Sequence, residues 1–143
     1  MISIAAHPPH EILLARLVAA GLPTDDVAPG PYQTFFGARE DEDWLAVIGL
    51  EALGHNALLR SLAVDAGQRD RGIGAALVDA VERHARALGV AQMYLLTTGA
   101  SAYFARLGYA PVERESVPGT IRSTAQFSAL CPRSAAVMVK RLT

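Results

Sequence analysis

Three apolar runs lie between Tyr32 and Val64: "YQTFFGA" (32–38), "WLAVIGLE" (44–51) and "ALLRSLAV" (57–64). The acidic stretch "REDED" separates the first two, and a turn containing Gly54 and Asn56 separates the second from the third. Short runs rich in β-branched and aromatic residues between such breaks read as strands. A parallel return needs a crossover of about a dozen residues or more, so strands joined this tightly must be mostly antiparallel. That excludes a chain of simple alternating strand and helix units.

The flanking segments follow a different pattern. "ISIAA" (2–6) reads as a short strand that Pro8 and Pro9 stop before a helix from His10 to Ala20, ended by Gly21 and Pro23. From Gly72 the period becomes helical, with Leu77, Val78, Val81, Ala85 and Leu88 on one face and Asp79, Glu82, Arg83 and Arg86 on the other, closed by Gly89. "AQMYLLTT" (91–98) reads as a buried strand, "ASAYFARL" (100–107) as a short helix ended by Gly108, and "YAPVE" (109–113) and "AAVMVKRL" (135–142) as further strands. The long connection before the last strand predicts either a functional loop or a concealed short helix.

At 143 residues, 51% hydrophobic and 19% charged, the chain is expected to form one domain over 1–143. Its longest apolar stretches, Ile12–Ala20 and Ala135–Val139, fall well short of the ~20 residues a membrane span requires, so no membrane partner is expected. The start "MISIAAHPPHE" lacks a basic leader followed by an apolar run, and a cytoplasmic location is the default expectation. A formal net charge of -1 offers no footprint for a polyanion, so nucleic acid is not an expected partner. The single cysteine, Cys131, excludes an internal disulfide and a multi-cysteine zinc site, and no metal is expected.

The segment "AGQRDRGIGAALVDA" (66–80) places Gly72 and Gly74 among charged residues where a helix begins. A strand, a glycine loop and a helix make a local anion site, because unpaired N–H groups and the helix dipole both point outward there. A Walker loop would require Gly-Lys-Ser/Thr, and a dinucleotide fold a third glycine and successive parallel units. Neither is present. The remaining arrangement, antiparallel strands before the loop and a βαβ unit after it, resembles the GNAT acyltransferases. "SLAVDAGQRDRGIGAALV" is similar to their acetyl-CoA signature, whose Arg/Gln-x-x-Gly-x-Gly/Ala core is met by Arg69, Asp70, Arg71, Gly72, Ile73 and Gly74. "GASAYFARLGY" stands in the place of the second cofactor segment. With "TIRSTAQFSALCPRSAAVMVKRL" the chain further resembles a short GNAT subfamily associated with arsenic resistance and similar to amino-acid N-acetyltransferases.

The resemblance implies an α/β (α+β) GNAT fold, with a mixed, mostly antiparallel sheet flanked by helices. It implies acetyl-CoA as cosubstrate and the primary amine of a small molecule as acceptor, an amino acid or an amino-acid-like arsenical being the finer expectation. Edge strands in such folds often form dimers, so a homodimer is also an expectation. The N–H groups from Arg71 through Gly72, Ile73 and Gly74 to Ala75, with Arg69 beside them, would hold the pyrophosphate. Leu62, Ala63 and Val64 would pair with the pantetheine arm, and Ser101 and Phe104 would complete the cofactor site. Asp70 stands where many members have glycine, and its carboxylate is expected to turn away, to be offset by Arg69 and Arg71 on either side, or to cap its own helix.

For the reaction, a backbone N–H near Val64 is the expected donor to the carbonyl oxygen. Many relatives carry an acid early in the fourth strand, where this chain has Leu58. Glu51 at the end of the neighbouring strand is the substitute base, and His55 in the following turn the second choice. Relatives often carry a tyrosine in the short helix at the position of Phe104. Here the aromatics are interchanged, and Tyr103 is the acid candidate. Arg60 on the central strand would clamp a substrate carboxylate, its structural alternative being an ion pair with Glu51 across the hairpin. The long connection adds Arg122, Ser123, Thr124 and Gln126 as polar groups, with Arg122 and Thr124 the substrate-binding candidates. Two other classes stay open: a sensor that binds acyl-CoA without turnover, and a protein lysine acetyltransferase.

Overall fold

The computed structural model describes residues 1–143 except the side chain of Asp70, so the capping expectation for that carboxylate lies outside the described residues. The described residues form strands β1 (Ile2–Ala6), β2 (Gln33–Glu40), β3 (Asp43–Leu53), β4 (Asn56–Val64), β5 (Gln92–Thr97), β6 (Ala110–Pro111) and β7 (Ala136–Arg141). Helices α1 (His10–Ala19), α2 (Ile73–Ala87), α3 (Ser101–Arg106) and α4 (Gly119–Arg122) accompany them. A single seven-stranded sheet runs in the order β1-β2-β3-β4-β5-β7-β6, and β4 with β5 is its parallel pair.

The antiparallel triplet expected from the short connections is present, with tighter turns. Glu40 pairs with Asp43 and Leu53 with Asn56, so Asp41–Glu42 and Gly54–His55 are the whole connections. Asp41 and Gly54 take φ values of 56° and 78°, the left-handed region that two-residue hairpin turns require. The "YAPVE" strand shrinks to Ala110–Pro111, paired with Val139 and Met138, and Val112 N–H adds one more bond to the Val137 carbonyl at 3.0 Å. The long connection does conceal helix. It holds a short turn at Arg114–Ser116, then α4, then a wide turn at Gln126–Leu130 in which Cys131 N–H donates to the Gln126 carbonyl at 2.9 Å.

Helix α2 buries Ile73, Leu77, Val78, Val81 and Ala85 against one face of the sheet, where Ile48, Leu50, Ala57 and Leu59 meet them. On the opposite face Leu13 and Leu17 of α1 pack on Phe35, Val47 and Ala63, and Ile121 of α4 packs near Leu58 and Tyr94. Burial of this kind contributes roughly 25 cal/mol per Å² of apolar surface. Glu82, buried in α2, accepts from Tyr109 Oη and Lys140 Nζ, both at 2.9 Å, and so ties α2 to β7 and to the residues just after α3.

Two irregularities shape the centre of the sheet. Along β3, Val47 and Gly49 face Ala63 and Arg60 of β4, so β4 carries an extra residue between them. Ser61 lies in that bulge with φ 60°, a conformation that costs a non-glycine residue about 1 kcal/mol or more. The bulge also switches side-chain parity: Leu59 and Leu62 face the α2 side, and Arg60 and Ala63 the other. Before the bulge, β4 pairs with β5 only from Asn56 to Leu58 against Gln92 to Tyr94. The two strands then part, leaving Leu59–Val64 and Leu95–Thr97 without each other.

Candidate active site

A cleft of about 820 Å³ opens where β4 and β5 separate, lined by residues from both strands, the start of α3, the end of α1 and the wide turn. Leu59 belongs to the α2-side core and Leu58 to the α4-side core, and both line the cleft, so it passes through the sheet from one face to the other.

At the α2 end, Gly72 takes φ 73° and links the turn Ala66–Arg71 to the helix. Among the described residues no side chain caps α2, and Ala76 N–H closes its first turn onto the Gly72 carbonyl at 3.1 Å. The N–H groups ahead of Ala76 therefore point out of the helix end, where the dipole favours an anion. Arg71 turns its guanidinium to Glu40, 3.0 Å from Oε2, and to Gln68 at 2.7 Å. Its side chain is thus engaged by the protein itself, and the N–H groups at the start of α2 are those of Ile73, Gly74 and Ala75. Arg69 lines the cleft. Gly74 lies directly under the Tyr103 hydroxyl, which would collide with any Cβ added there. Tyr103 lines the cleft half-buried, and burial raises its pKa above the ordinary phenol value, with Arg106 pulling weakly the other way. Phe104 also lines the cleft, 8% exposed, and packs edge-on against Tyr103 and Tyr109, whereas Ser101 is exposed and outside the lining. Leu62 lines the cleft, Ala63 is buried against α1, and Val64 packs beside the α2-side core.

The other end is built around Arg60, whose side chain is 1% exposed. Its Nη1 donates to Glu51 Oε1 at 2.6 Å and to Asp26 Oδ2 at 2.6 Å, Nη2 donates to Asp26 Oδ1 at 2.7 Å, and Nε donates to Ser61 Oγ at 3.0 Å. The guanidinium lies over Phe35, 5.8 Å from the ring centroid, an approach that Gly49 permits because a Cβ there would meet the ring and Arg60 Cγ. Burial works against the charge of Arg60, but its two carboxylate partners outweigh that and raise its pKa. Asp26 is shifted oppositely: burial pushes up, while the hydrogen bonds and charge of Arg60 and a contact from Gln126 prevail and lower it.

Glu51 is 8% exposed, not a solvated strand end, and faces Leu58 directly across the β3–β4 ladder. It stands behind Arg60 and does not itself line the cleft. Its Oε2 makes no side-chain hydrogen bond among the described residues. No fully buried side-chain polar atom among them is left unpartnered, so Oε2 keeps solvent contact. Arg122 is exposed and lines a separate hollow with Arg114 and Phe127, away from the cleft. Thr124 is buried with its hydroxyl donating to the Ile121 carbonyl at 2.7 Å, a helix-end contact that leaves it off the lining. Gln126, two residues on, does line the cleft and reaches Asp26 Oδ1 at 3.4 Å. Cys131 lines it too, its thiol pushed up by burial rather than activated. Asp26 carried no signal in the sequence: it sits in the turn "GLPTDD", far along the chain from the strand it joins.

The acetyltransferase (GNAT) family profile matches residues 7–109, and the chain belongs to that family of acetyltransferase enzymes. Its fold is the GNAT fold. N-acetylglutamate synthase from Neisseria gonorrhoeae, solved with coenzyme A and N-acetyl-glutamate, superposes with a TM-score of 0.81 at 19% identity over 100% of this chain. This chain spans 35% of that synthase's length. A GNAT acetyltransferase from Staphylococcus aureus Mu50 superposes at 0.79 with 17% identity over 100% of both chains. Rv2747 from Mycobacterium tuberculosis, in complex with CoA and NLQ, gives 0.65 at 24% identity over 76% of each. A search of the curated proteins finds no match. No described helix is long and apolar enough to cross a membrane.

Proposed function

We propose that the cleft holds acetyl-CoA and a small primary amine together and that the acetyl group passes directly between them. The observation that carries this reading is the parting of β4 from β5 beyond Leu58 and Tyr94. It leaves a free strand edge beside one cleft that opens to both faces, and Tyr103 on the cleft lining reaches over Gly74 at the start of α2. The N–H groups from Arg71 to Ala75 fit a pyrophosphate, with the Arg69 side chain near it. The free edge from Leu62 to Val64 fits the amide-bearing pantetheine arm. Bound acetyl-CoA supplies the acetyl group as a thioester, whose thiol has an ordinary pKa of about 8.5.

Each remaining task falls to a residue of this chain. Where β4 parts from β5 its backbone on that edge lacks a ladder partner, and one N–H donor near Val64 aimed at a developing oxyanion is worth about 3 kcal/mol. Glu51 stands behind Arg60 and off the cleft lining, so its Oε2 receives the amine proton only through water reaching past that guanidinium. Tyr103 stays protonated and donates a hydrogen bond to the leaving sulfur. A phenol less acidic than a thiol has no reason to give the proton up completely.

Arg60 is committed to two carboxylates of the protein itself, so the reading stops at a primary amine. It does not extend to an amino acid or, from the arsenic-associated resemblance, to an amino-acid-like arsenical. Arg122 and Thr124 play no part in it. The test is thiol release from acetyl-CoA against a panel of primary amines, with Glu51→Gln in parallel. Amine-dependent release that falls in the variant while acetyl-CoA binding persists is expected. Binding without release for every amine would favour a non-catalytic acyl-CoA sensor.

A further inference from the structure

Resting on that reading, the geometry points to a sharper substrate class: we propose that the amine carries no carboxylate beside its amino group, and that Asp26 sets this preference. Two carboxylates, Asp26 and Glu51, surround the single guanidinium of Arg60, leaving the cluster one negative charge in excess. Four hydrogen bonds to Asp26, Glu51 and Ser61 occupy that guanidinium, whose side chain is 1% exposed. A substrate carboxylate would have to displace Asp26 to reach it.

Asp26 is not easily displaced. Gln33 ties its loop down, donating from Nε2 to the Asp26 carbonyl at 2.9 Å and accepting from Ala28 N–H at 2.8 Å. Val27 N–H donates to the Thr24 carbonyl at 3.1 Å within the same loop. The Asp26 side chain, 14% exposed, contacts Arg60 and Gln126, both of which line the cleft. Its charge therefore acts on the cleft at one remove. Arg69 also lines the cleft, but at the α2 end, where the pyrophosphate is placed; Arg114 offers no rescue either, its guanidinium donating to the Pro132 and Ala135 carbonyls and lying over Phe127, outside the cleft lining. The same cleft presents Leu22, Pro23, Leu58, Leu96 and Leu130, which suit an alkyl or aryl body. An apolar monoamine meets both conditions: its ammonium is attracted by the excess charge and its body is buried.

Matched pairs differing only in the carboxylate test this: 2-phenylethylamine against phenylalanine, and isoamylamine against leucine. Binding to the CoA-saturated protein is followed by calorimetry, and turnover by thiol release. The amine of each pair is expected to bind at least ~10-fold more tightly, the effect of one like charge about 6 Å away at an effective dielectric near 40. Asp26→Asn should shrink that ratio several-fold, which a purely structural loss would not do. Equal or tighter binding of the amino acids, or no binding by either amine, would overturn the proposal. Preferential amine binding without thiol release would uphold it while removing the catalytic reading beneath it.

Discussion

Arg60 on β4 and Asp26 in the loop after α1 are joined by two hydrogen bonds of 2.6 and 2.7 Å, one from each terminal nitrogen to each carboxylate oxygen. This fork links the central strand to the loop beside the cleft, and Glu51 holds the same guanidinium from the neighbouring strand. The site's charge, the loop's position and the acceptor groups available to an amine all depend on this one cation.

Removing that cation leaves two carboxylates facing each other with little water. Arg60→Met should destabilise the fold by about 3–5 kcal/mol, the cost of breaking a buried pair from one side. Arg60→Lys should recover only part of it, because an ammonium cannot make the bidentate fork. Urea denaturation of the three proteins measures this; a near-neutral Arg60→Met would mean the pairing is unimportant.

Asp26 makes stability depend on acid. Its carboxyl is held below the ordinary range, so its contribution is fully present above the unfolded pKa of about 4 and is lost as pH falls through the lower folded value. The urea midpoint should fall below pH 4 in the native protein and fall less steeply in Asp26→Asn. Parallel acid limbs in the two proteins would contradict this.

Gly74 and Tyr103 should behave as a coupled pair. Gly74→Ala moves the Tyr103 hydroxyl aside, a small cost because the atom displaced is the far end of a side chain. Thiol release should fall about as far as in Tyr103→Phe, and the double variant should be no worse than either alone. Additive losses in a double-mutant cycle would separate the two residues.

Tyr103→Phe itself should slow thiol release only moderately, by roughly 10-fold, since a thiolate leaves readily without a full proton. Because burial raises the Tyr103 pKa, the pH–rate profile should show no loss from its ionisation below about pH 10. A Tyr103-dependent alkaline limb near pH 8 would refute that role.

Gly72 is required by its backbone rather than by space. With φ 73° and nothing within 4 Å of an added Cβ, Gly72→Ala should cost about 1–2 kcal/mol of stability through conformation alone. It should also weaken acetyl-CoA binding, which calorimetry reads directly.

The strand triplet, α2 and its glycine start were legible because short connections and a 3.6-residue period are local properties of the chain. The separation of β4 from β5 was not, since it depends on where a parallel ladder stops. The bulge at Ser61 gave no local cue either, a serine being an unexpected residue at φ 60°. At the site, Arg60 was marked by being charged on a strand that must be buried, and Glu51 by standing on the strand beside Leu58, where relatives carry an acid. Asp26 escaped because acidic residues in a proline-containing turn are ordinary. From sequence, Thr124 is the substrate-binding candidate of its polar segment ahead of Gln126, and only the wide turn decides that the glutamine faces the cleft instead.

The measurement that bears most directly on the account is product analysis by mass spectrometry after incubating the purified enzyme with acetyl-CoA and 2-phenylethylamine. The account predicts free CoA and N-acetylated amine in equal amounts. Acetyl-CoA that binds yet yields no acetylated product with this amine, or with any other primary amine supplied, would contradict it.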